Sequence, residues 1–257
     1  GPVLERACTH SVGPYTYQNT NILGYGYYTN NPPAGAFRGF GVCQSEYALE
    51  MLIDRLAEMV GISPWEIRFR NAIEPGKVLP NGQIADCSTA LKETLLAVKD
   101  VYEAHPGRAG IACALKNAGV GVGLPDKGRA RAEVLDGKLR VYTAASDIGQ
   151  GCRTVFTQIL QSETGLPIEK LSISRGSTED SPDSGTTSGS RQTLITGEAV
   201  RGLAAEVKKD LDAAGGKLEE LNGKEYFYEF FDPTDKLGAD LPNPKSHVAY
   251  AFATNVA

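Results

Sequence analysis

Apolar residues along the chain recur at helical spacing in several segments and alternate at strand spacing in others. The predicted helices span residues 44–60, 63–71, 89–104, 154–164 and 190–212. Ser63 followed by Pro64 is the pattern of a capped helix start, and Ser88 is the predicted N-cap of the next helix. Gly61 and Gly165 follow two of these segments, at positions where helices commonly end.

Strand spacing is clearest around an Asp-Gly pair. "RARAEVLDGKLRVYTAA" (129–145) alternates on both sides of Asp136 and Gly137, which predicts a β-hairpin. Further strands are predicted within 110–125, 171–175 and 248–256, whereas residues 1–30 are interpreted as strand-like and loop segments. Together these elements predict an α+β fold of mixed sheets with packed helices, in two subdomains spanning residues 1–107 and 108–257.

Composition and charge exclude several classes of protein. With 257 residues, 41% of them hydrophobic, the chain is long enough for a sizeable core. Its 26 basic and 31 acidic residues are well mixed, so no basic stripe indicates a nucleic-acid partner. No apolar run approaches the roughly 18 residues of a membrane span. Five scattered cysteines without a CxxC pair, and three histidines without metal-binding spacing, predict a cytoplasmic location and neither a disulfide framework nor a zinc site.

Three glycine-rich loops each run into a predicted helix. They are "GAFRGFG" (35–41), "SDIGQGCRT" (146–154) and "SGTTSGSRQT" (184–193). Glycines let a backbone come close to a ligand, and the N–H groups at a helix N-terminus attract anions. One such loop is usually only a turn, but three in one chain favour a single extended, polar, phosphorylated ligand. The loops alone leave open whether that ligand serves an enzyme or an unrelated phosphate-binding module.

The residues of these loops resemble a known family. "AFRGFG" followed by Gln44, "GQG" followed by Thr154, the Ser/Thr-rich loop and "GEAV" (197–200) stand in the order of the molybdenum-binding domain of the xanthine dehydrogenase and aldehyde oxidase family. "ERA" (5–7) and "IRFRN" (67–71) fit the same pattern. What this resemblance implies is an oxidoreductase that hydroxylates an aza-aromatic ring or an aldehyde. It implies molybdenum carried by molybdopterin or its cytosine dinucleotide form, with iron–sulfur clusters and FAD on partner domains or subunits as electron acceptors.

The resemblance also implies roles for individual residues. Arg38 and Gly189 would bring backbone N–H groups to oxygen ligands of the molybdenum. Phe40 would pack on a flat substrate ring, and Arg6 would stabilise negative charge on a purine. The remaining cofactor-binding positions are Gly39, Gly149, Gln150, Gly151, Ser188, Ser190 and Gln192. Arg6 and Arg38 are thus the expected catalytic residues, and Arg6 and Phe40 the expected substrate contacts.

Several of these residues also have a purely structural interpretation. Phe40 could pack behind its own loop, and Arg6 could pair with Glu5 at the surface. Gln150 could cap its own turn. His10, which no metal-binding or catalytic spacing includes, is interpreted as a hydrogen-bonded structural histidine.

Two parts of the family pattern do not occur in this chain: a "GGxFGxK"-type loop and a C-terminal "VGE" segment. The resemblance therefore implies the middle of a molybdenum subunit, either split or truncated, that needs its remaining parts and is inactive by itself. Residues 109–128 also contain no Phe, Tyr or Trp to serve as a second aromatic against the substrate. Arg6 favours a purine such as xanthine or hypoxanthine. Nicotinate or aldehyde hydroxylation, and an inactive fragment that keeps only the fold, stay open.

Overall fold

The computed structural model describes residues 1–35, 37–174, 176–188 and 190–257. The chain divides into two compact units: the first comprises Gly1–Asn117 and Asp235–Ala257, and the second Ala118–Thr234. This division differs from the predicted boundary after residue 107, because the C-terminal segment returns to the first unit. No helix in the described ranges is long and apolar enough to cross a membrane.

Four helices come first in the described parts of the chain, and strands and further helices follow them. In chain order they are α1 (Pro2–His10), α2 (Val42–Val60), α3 (Pro64–Asn71), α4 (Leu91–Glu103), β1 (Ile111–Ala118), β2 (Lys127–Leu135), β3 (Lys138–Tyr142), α5 (Cys152–Thr164), β4 (Leu171–Ile173), α6 (Gly197–Ala213), β5 (Glu225–Phe231) and β6 (Ala249–Val256). A π-helical turn, Gln192–Thr196, leads directly into α6. The predicted α+β fold class is confirmed.

In the first unit, helices pack around a two-stranded sheet of β1 and β6. Its main core joins α2, α3 and α4 to the sheet through Ile53, Ala57, Trp65, Leu91, Leu95, Ile111 and Cys113. Trp65 stacks on Phe69 with ring centroids 4.6 Å apart, and its indole N–H donates to the carbonyl oxygen of Leu95 at 2.9 Å. The alternation predicted for the last strand is confirmed, because β6 turns every second residue away from solvent.

Three alternate amides of β1 donate to side chains from helices. The acceptors are Glu50 Oε2 for the Cys113 N–H at 2.9 Å, Glu46 Oε1 for the Leu115 N–H at 2.8 Å, and His10 Nε2 for the Asn117 N–H at 3.3 Å. Buried backbone amides need a partner, and here helix side chains supply it. Burial raises the pKa of Glu46 to about 8.

The second unit is a four-stranded sheet in the order β4-β3-β2-β5, with α5 and α6 packed on it. Strands β2 and β3 form the predicted antiparallel hairpin, closed by the pair Leu135 and Lys138. Asp136 and Gly137 between them have φ of 52° and 67°, as this two-residue turn requires. The core lies between sheet and helices and includes Val134, Leu139, Val141, Phe156, Leu160, Leu203 and Val207.

Helix α1 and strand β5 are not predicted by the sequence pattern. The strand-like or loop prediction for residues 1–30 is wrong for α1. The buried residues of α1 are Arg6 and His10, so the face it buries is polar and gives no apolar periodicity. In β5, "EYFYEFF" places aromatic side chains on both faces: Tyr226 is buried while Phe227 is exposed. Its pattern therefore shows no clear alternation.

Two predicted helix starts are wrong. The helix after Ser88 begins only at Leu91, because Ser88 donates its N–H and hydroxyl to the Asp86 carboxylate at 2.8 and 2.6 Å. Helix α6 begins at Gly197 rather than near Ser190, since the π-helical turn occupies the residues between. By contrast, Ser63 is confirmed as an N-cap, accepting the Glu66 N–H at 3.0 Å.

Candidate cofactor-binding loops

The first candidate loop makes a tight left-handed turn immediately before α2. Gly39, Phe40 and Gly41 have φ of 97°, 57° and 106°. This conformation suits glycine but strains Phe40, and strained residues cluster at ligand sites. The Phe40 N–H donates to the carbonyl oxygen of Phe37 at 2.8 Å. Phe40 is half-buried and Arg38 is exposed.

Helix α1 packs against this turn at backbone distance. A Cβ on Gly41 would overlap with the carbonyl oxygen of Val3 and would lie 3.1 Å from the nitrogen of Ala7. Glycine at this position is what permits the contact. Because Arg6 lies on α1 between those two residues, Arg6 and Phe40 are carried by adjoining elements of the first unit.

Arg6 is a buried cation. It is 7% exposed, its Nη1 lies 3.4 Å from His247 Nε2, and the Glu5 carboxylate is 3.9 Å away. Burial lowers the pKa of Arg6, yet a guanidinium in a protein stays protonated. The alternative of a surface salt bridge with Glu5 does not describe this side chain, because its guanidinium is removed from solvent.

Two neutral histidines accompany Arg6 in the first unit. His10 donates from Nδ1 to the carbonyl oxygen of Arg6 at 2.9 Å and accepts the Asn117 N–H at Nε2, so it carries one proton. Burial lowers the pKa of His10 to about 4 and that of His247 to about 2, and the nearby charge of Arg6 adds to both shifts. These contacts fit the interpretation of His10 as a structural histidine.

The second candidate loop is closed by its own side chains. The Asp147 carboxylate accepts the N–H groups of Gly149 and Gly151 at 3.0 and 3.3 Å. Gln150 accepts the N–H two residues before it at 2.7 Å and donates to the carbonyl four residues before it at 2.9 Å. The side chain of Gln150 therefore caps its own turn. Gly151 precedes α5 with φ of 71°, and no side chain within the described ranges caps this helix.

The third candidate loop leads into the π-helical turn. Ser188 is half-buried, and Ser190 is exposed with φ of 57°. Gly189, the predicted backbone contact to the metal's oxygen ligands, lies outside the described residues. Gln192 is buried and begins the π-helical turn, a local geometry often found at functional sites.

The hydroxyl of Thr187 joins the second and third loops. It accepts the Ser146 N–H at 3.0 Å and the Nε2 amide of Gln192 at 2.5 Å. Gln192 Oε1 is then buried with no hydrogen-bond partner among the described residues. The same holds for Thr196 Oγ1, one turn later. A buried oxygen without a partner is costly, so both oxygens are available to accept a hydrogen bond from another group.

The structure thus groups the predicted residues within each unit. In the second unit it brings Gly149–Gly151 next to Gln192 through Thr187, and in the first unit it brings the 38–41 turn next to α1. Two features of the second unit have no signal of their own in the sequence. One is Thr187, which is marked only by its place in a polar loop. The other is the buried ion pair under the third loop, in which Arg191 Nε lies 2.5 Å from Asp126 Oδ1.

Comparisons with family models and known proteins identify relatives of this chain. A family model described as a molybdopterin cofactor-binding domain matches residues 86–237, and a second of the same description matches residues 1–72. The chain is 34% identical over 217 residues to an aldehyde oxidoreductase of Megalodesulfovibrio gigas, covering 79% of this chain and 24% of that protein. It is 32% identical over 201 residues to a xanthine dehydrogenase molybdenum-binding subunit of Escherichia coli, covering 72% and 27% respectively.

A solved structure shares the fold. The aldehyde oxidoreductase from Desulfovibrio desulfuricans superposes with a TM-score of 0.81 at 24% identity, over 99% of this chain and 30% of that one. The chain spans about a quarter to a third of the length of these relatives. The resemblance inferred from the loops is confirmed: this chain belongs to the xanthine dehydrogenase and aldehyde oxidase family of molybdenum oxidoreductases and has the fold of its molybdopterin-binding region.

Proposed function

We propose that this chain is part of the molybdenum-binding subunit of an enzyme that adds a water-derived oxygen to a purine such as xanthine or hypoxanthine. The observation that carries the purine is Arg6. Its guanidinium is buried on α1, and α1 contacts the turn that holds Phe40. A fixed cation and an aromatic side chain on adjoining elements suit a flat heterocycle on which negative charge develops.

The residues of the second unit fit a molybdopterin. The buried oxygens of Gln192 and Thr196 have no partner among the described residues, and the N-terminus of α5 has no side-chain cap there. A pterin offers hydrogen-bond donors to the two buried oxygens, and a phosphate suits the N–H groups at the N-terminus of α5. Gly149–Gly151, Ser188, Ser190 and Gln192 would hold the cofactor, which supplies the oxygen-transfer and redox chemistry when bound.

In the first unit, the protein's part is to orient and stabilise. The backbone N–H of Arg38, with that of Gly189 from the third loop, would face the oxygen ligands of the metal. Phe40 would hold the substrate ring flat, so that its reacting carbon is presented in one orientation. Arg6 would stabilise the charge that develops on a purine carbonyl or ring nitrogen.

The electron acceptors and the cellular location belong to the same proposal. Iron–sulfur and FAD components, together with the remaining parts of the molybdenum subunit, would complete the enzyme, and the isolated chain would be inactive. The cytoplasmic location is proposed from five scattered cysteines without a CxxC pair.

A second candidate is aldehyde hydroxylation, which the identity to an aldehyde oxidoreductase favours. The assembled enzyme separates the two when its turnover is measured on xanthine, hypoxanthine, nicotinate and an aromatic aldehyde. We expect purine turnover, and we expect Arg6→Met to reduce it by about 100-fold or more with unchanged molybdenum content. Arg55→Met, at an exposed arginine on α2, is the control. Aldehyde turnover without purine turnover would contradict the proposal, and an assembled enzyme without molybdenum or pterin would leave only the fold.

A further inference from the structure

We propose that Arg191 is a positioning residue that holds the third loop in its binding shape before the cofactor arrives. The inference rests on the proposed function in one respect, namely that this loop contacts the cofactor. Arg191 itself is 2% exposed, and its charged group is bonded to Asp126 inside the second unit. It would act through the loop rather than by touching the cofactor.

The guanidinium of Arg191 joins the loop to strand β2 and the segment before it. Its Nε donates to Asp126 Oδ1 at 2.5 Å, and its Nη2 donates to the carbonyl oxygen of Lys127 at 2.7 Å. Its Nη1 donates to the carbonyl oxygens of Ser184 and Thr186 at 2.6 and 3.0 Å. The planar fork of an arginine can make these four bonds at once, whereas the point charge of a lysine cannot.

The positive charge of Arg191 is paired with the buried carboxylate of Asp126. The Asp126 side chain is 2% exposed as well, and its second oxygen accepts the Val120 N–H at 2.7 Å. A buried pair of this kind adds little stability by itself, but removal of one partner leaves an uncompensated charge. The pair therefore fits a role in fixing one conformation of the loop.

The loop wraps around the guanidinium at a glycine. Gly185 has φ of 73°, and a Cβ there would lie 3.1 to 3.3 Å from the Arg191 guanidinium atoms. The bonds to Ser184 and Thr186 hold the residues on either side of Gly185. Any larger side chain would strain the backbone and press on a group that its four bonds prevent from moving.

The position of Thr187 follows from the same bonds. Since the carbonyl of Thr186 is fixed, the next residue presents its hydroxyl to both the Ser146 N–H and the Gln192 amide. This sets which end of the Gln192 amide is left without a partner among the described residues. All of these groups lie within the second unit.

The test compares Arg191→Lys and Gly185→Ala with the matched control Arg68→Lys. Arg68 is an equally buried arginine paired with Glu50 at 2.8 Å, but it lies in the first unit, away from the loop in sequence and in contacts. Hydrogen exchange is measured in the cofactor-free assembled enzyme for the amides of 184–188 and of Ser146. The rate of molybdopterin loss is measured in the loaded enzyme.

We expect Arg191→Lys and Gly185→Ala to speed both loop exchange and cofactor loss by about 10- to 100-fold, as for other residues that support a metal or cofactor contact. Arg68→Lys should leave the exchange of 184–188 and of Ser146 unchanged, because Arg68 bonds to none of these residues. Unchanged exchange at 184–188 in either loop variant would overturn the inference, and so would faster exchange with unchanged cofactor loss. The substrate assay decides the purine proposal separately, since a positioning role is the same for an aldehyde hydroxylase.

Discussion

Gly41 and Val3 meet at a distance that only a glycine allows, because a Cβ on Gly41 would occupy the place of the Val3 carbonyl oxygen. This contact joins the turn of Arg38 and Phe40 to the helix that carries Arg6. The glycines of "GAFRGFG" therefore have a structural reason besides an approach to a ligand: at this glycine, α1 is the close neighbour. The first unit holds the predicted substrate residues together through this contact.

Gly41→Ala should destabilise the first unit more than the same substitution at Gly61. Both glycines have positive φ, 106° and 73°, but a Cβ on Gly61 has no neighbour within 4 Å. We expect about 1 kcal/mol for the strain at Gly61, and at least about 2 kcal/mol at Gly41, where backbone must also move. Trp65, the single tryptophan and part of this core, reports unfolding by its fluorescence in denaturant. Equal losses would contradict the close contact of α1 and the turn.

The buried pair of Arg68 on α3 and Glu50 on α2 should be far more important for stability than an exposed pair on α2. Arg68 is fully buried, and its partner Glu50 also accepts the Tyr15 hydroxyl at 2.5 Å and the Cys113 N–H. Arg68→Ala leaves a buried carboxylate uncompensated, so we expect a loss of about 3–5 kcal/mol in the free energy of unfolding.

The matched control is Arg55→Ala. Arg55 pairs with Glu58 at 2.5 Å, but both side chains are exposed, and we expect a loss below about 1 kcal/mol. Both variants lie in the first unit and are followed by the same tryptophan fluorescence. A loss at Arg68 no larger than that at Arg55 would show that the Glu50 network is not needed to hold β1 against α2.

Glu46 should make the first unit less stable as the pH rises. Its folded pKa is raised to about 8 by burial, whereas an unfolded glutamate has a pKa of about 4.3. Between these values the folded chain keeps a proton that the unfolded chain has lost, so stability falls with pH by up to about 1.4 kcal/mol per pH unit and levels off above pH 8.

Glu46→Gln keeps an oxygen for the Leu115 N–H and removes this titration. Denaturant unfolding between pH 5 and 9 should therefore show a flatter profile for the variant. Parallel profiles would mean that Glu46 titrates normally.

Thr196→Val should stabilise the cofactor-free second unit while weakening cofactor retention. The Thr196 hydroxyl is buried without a partner among the described residues, so its replacement by a methyl group should raise stability by about 1 kcal/mol. Thr143→Val is the control with the opposite expected sign. Thr143 is also buried, but its hydroxyl is bonded to the Ser184 hydroxyl at 2.6 Å. Hydrogen exchange in the core of α6 measures the change in stability of each variant. Destabilisation by Thr196→Val in the absence of cofactor would show that the hydroxyl already has a partner.

The sequence by itself determined the features that depend on neighbours along the chain. The helical period of α2, the Ser63 cap and the Asp136-Gly137 hairpin are local, and the structure confirms each of them. The order of the glycine-rich loops was enough to identify the family, because a loop that contacts a ligand through its backbone needs small residues at fixed places.

Only the tertiary structure decided what lies beneath those loops. Asp126 and Arg191 are 65 residues apart, and His247 reaches Arg6 across 241 residues, so no local pattern pairs them. The burial of Arg6 depends on the return of the chain to the first unit, which brings His247 to α1 and which no sequence pattern predicts. Hydrogen bonds and ion pairs between distant segments leave no periodic trace, because one polar residue can meet any suitable partner that folding brings near.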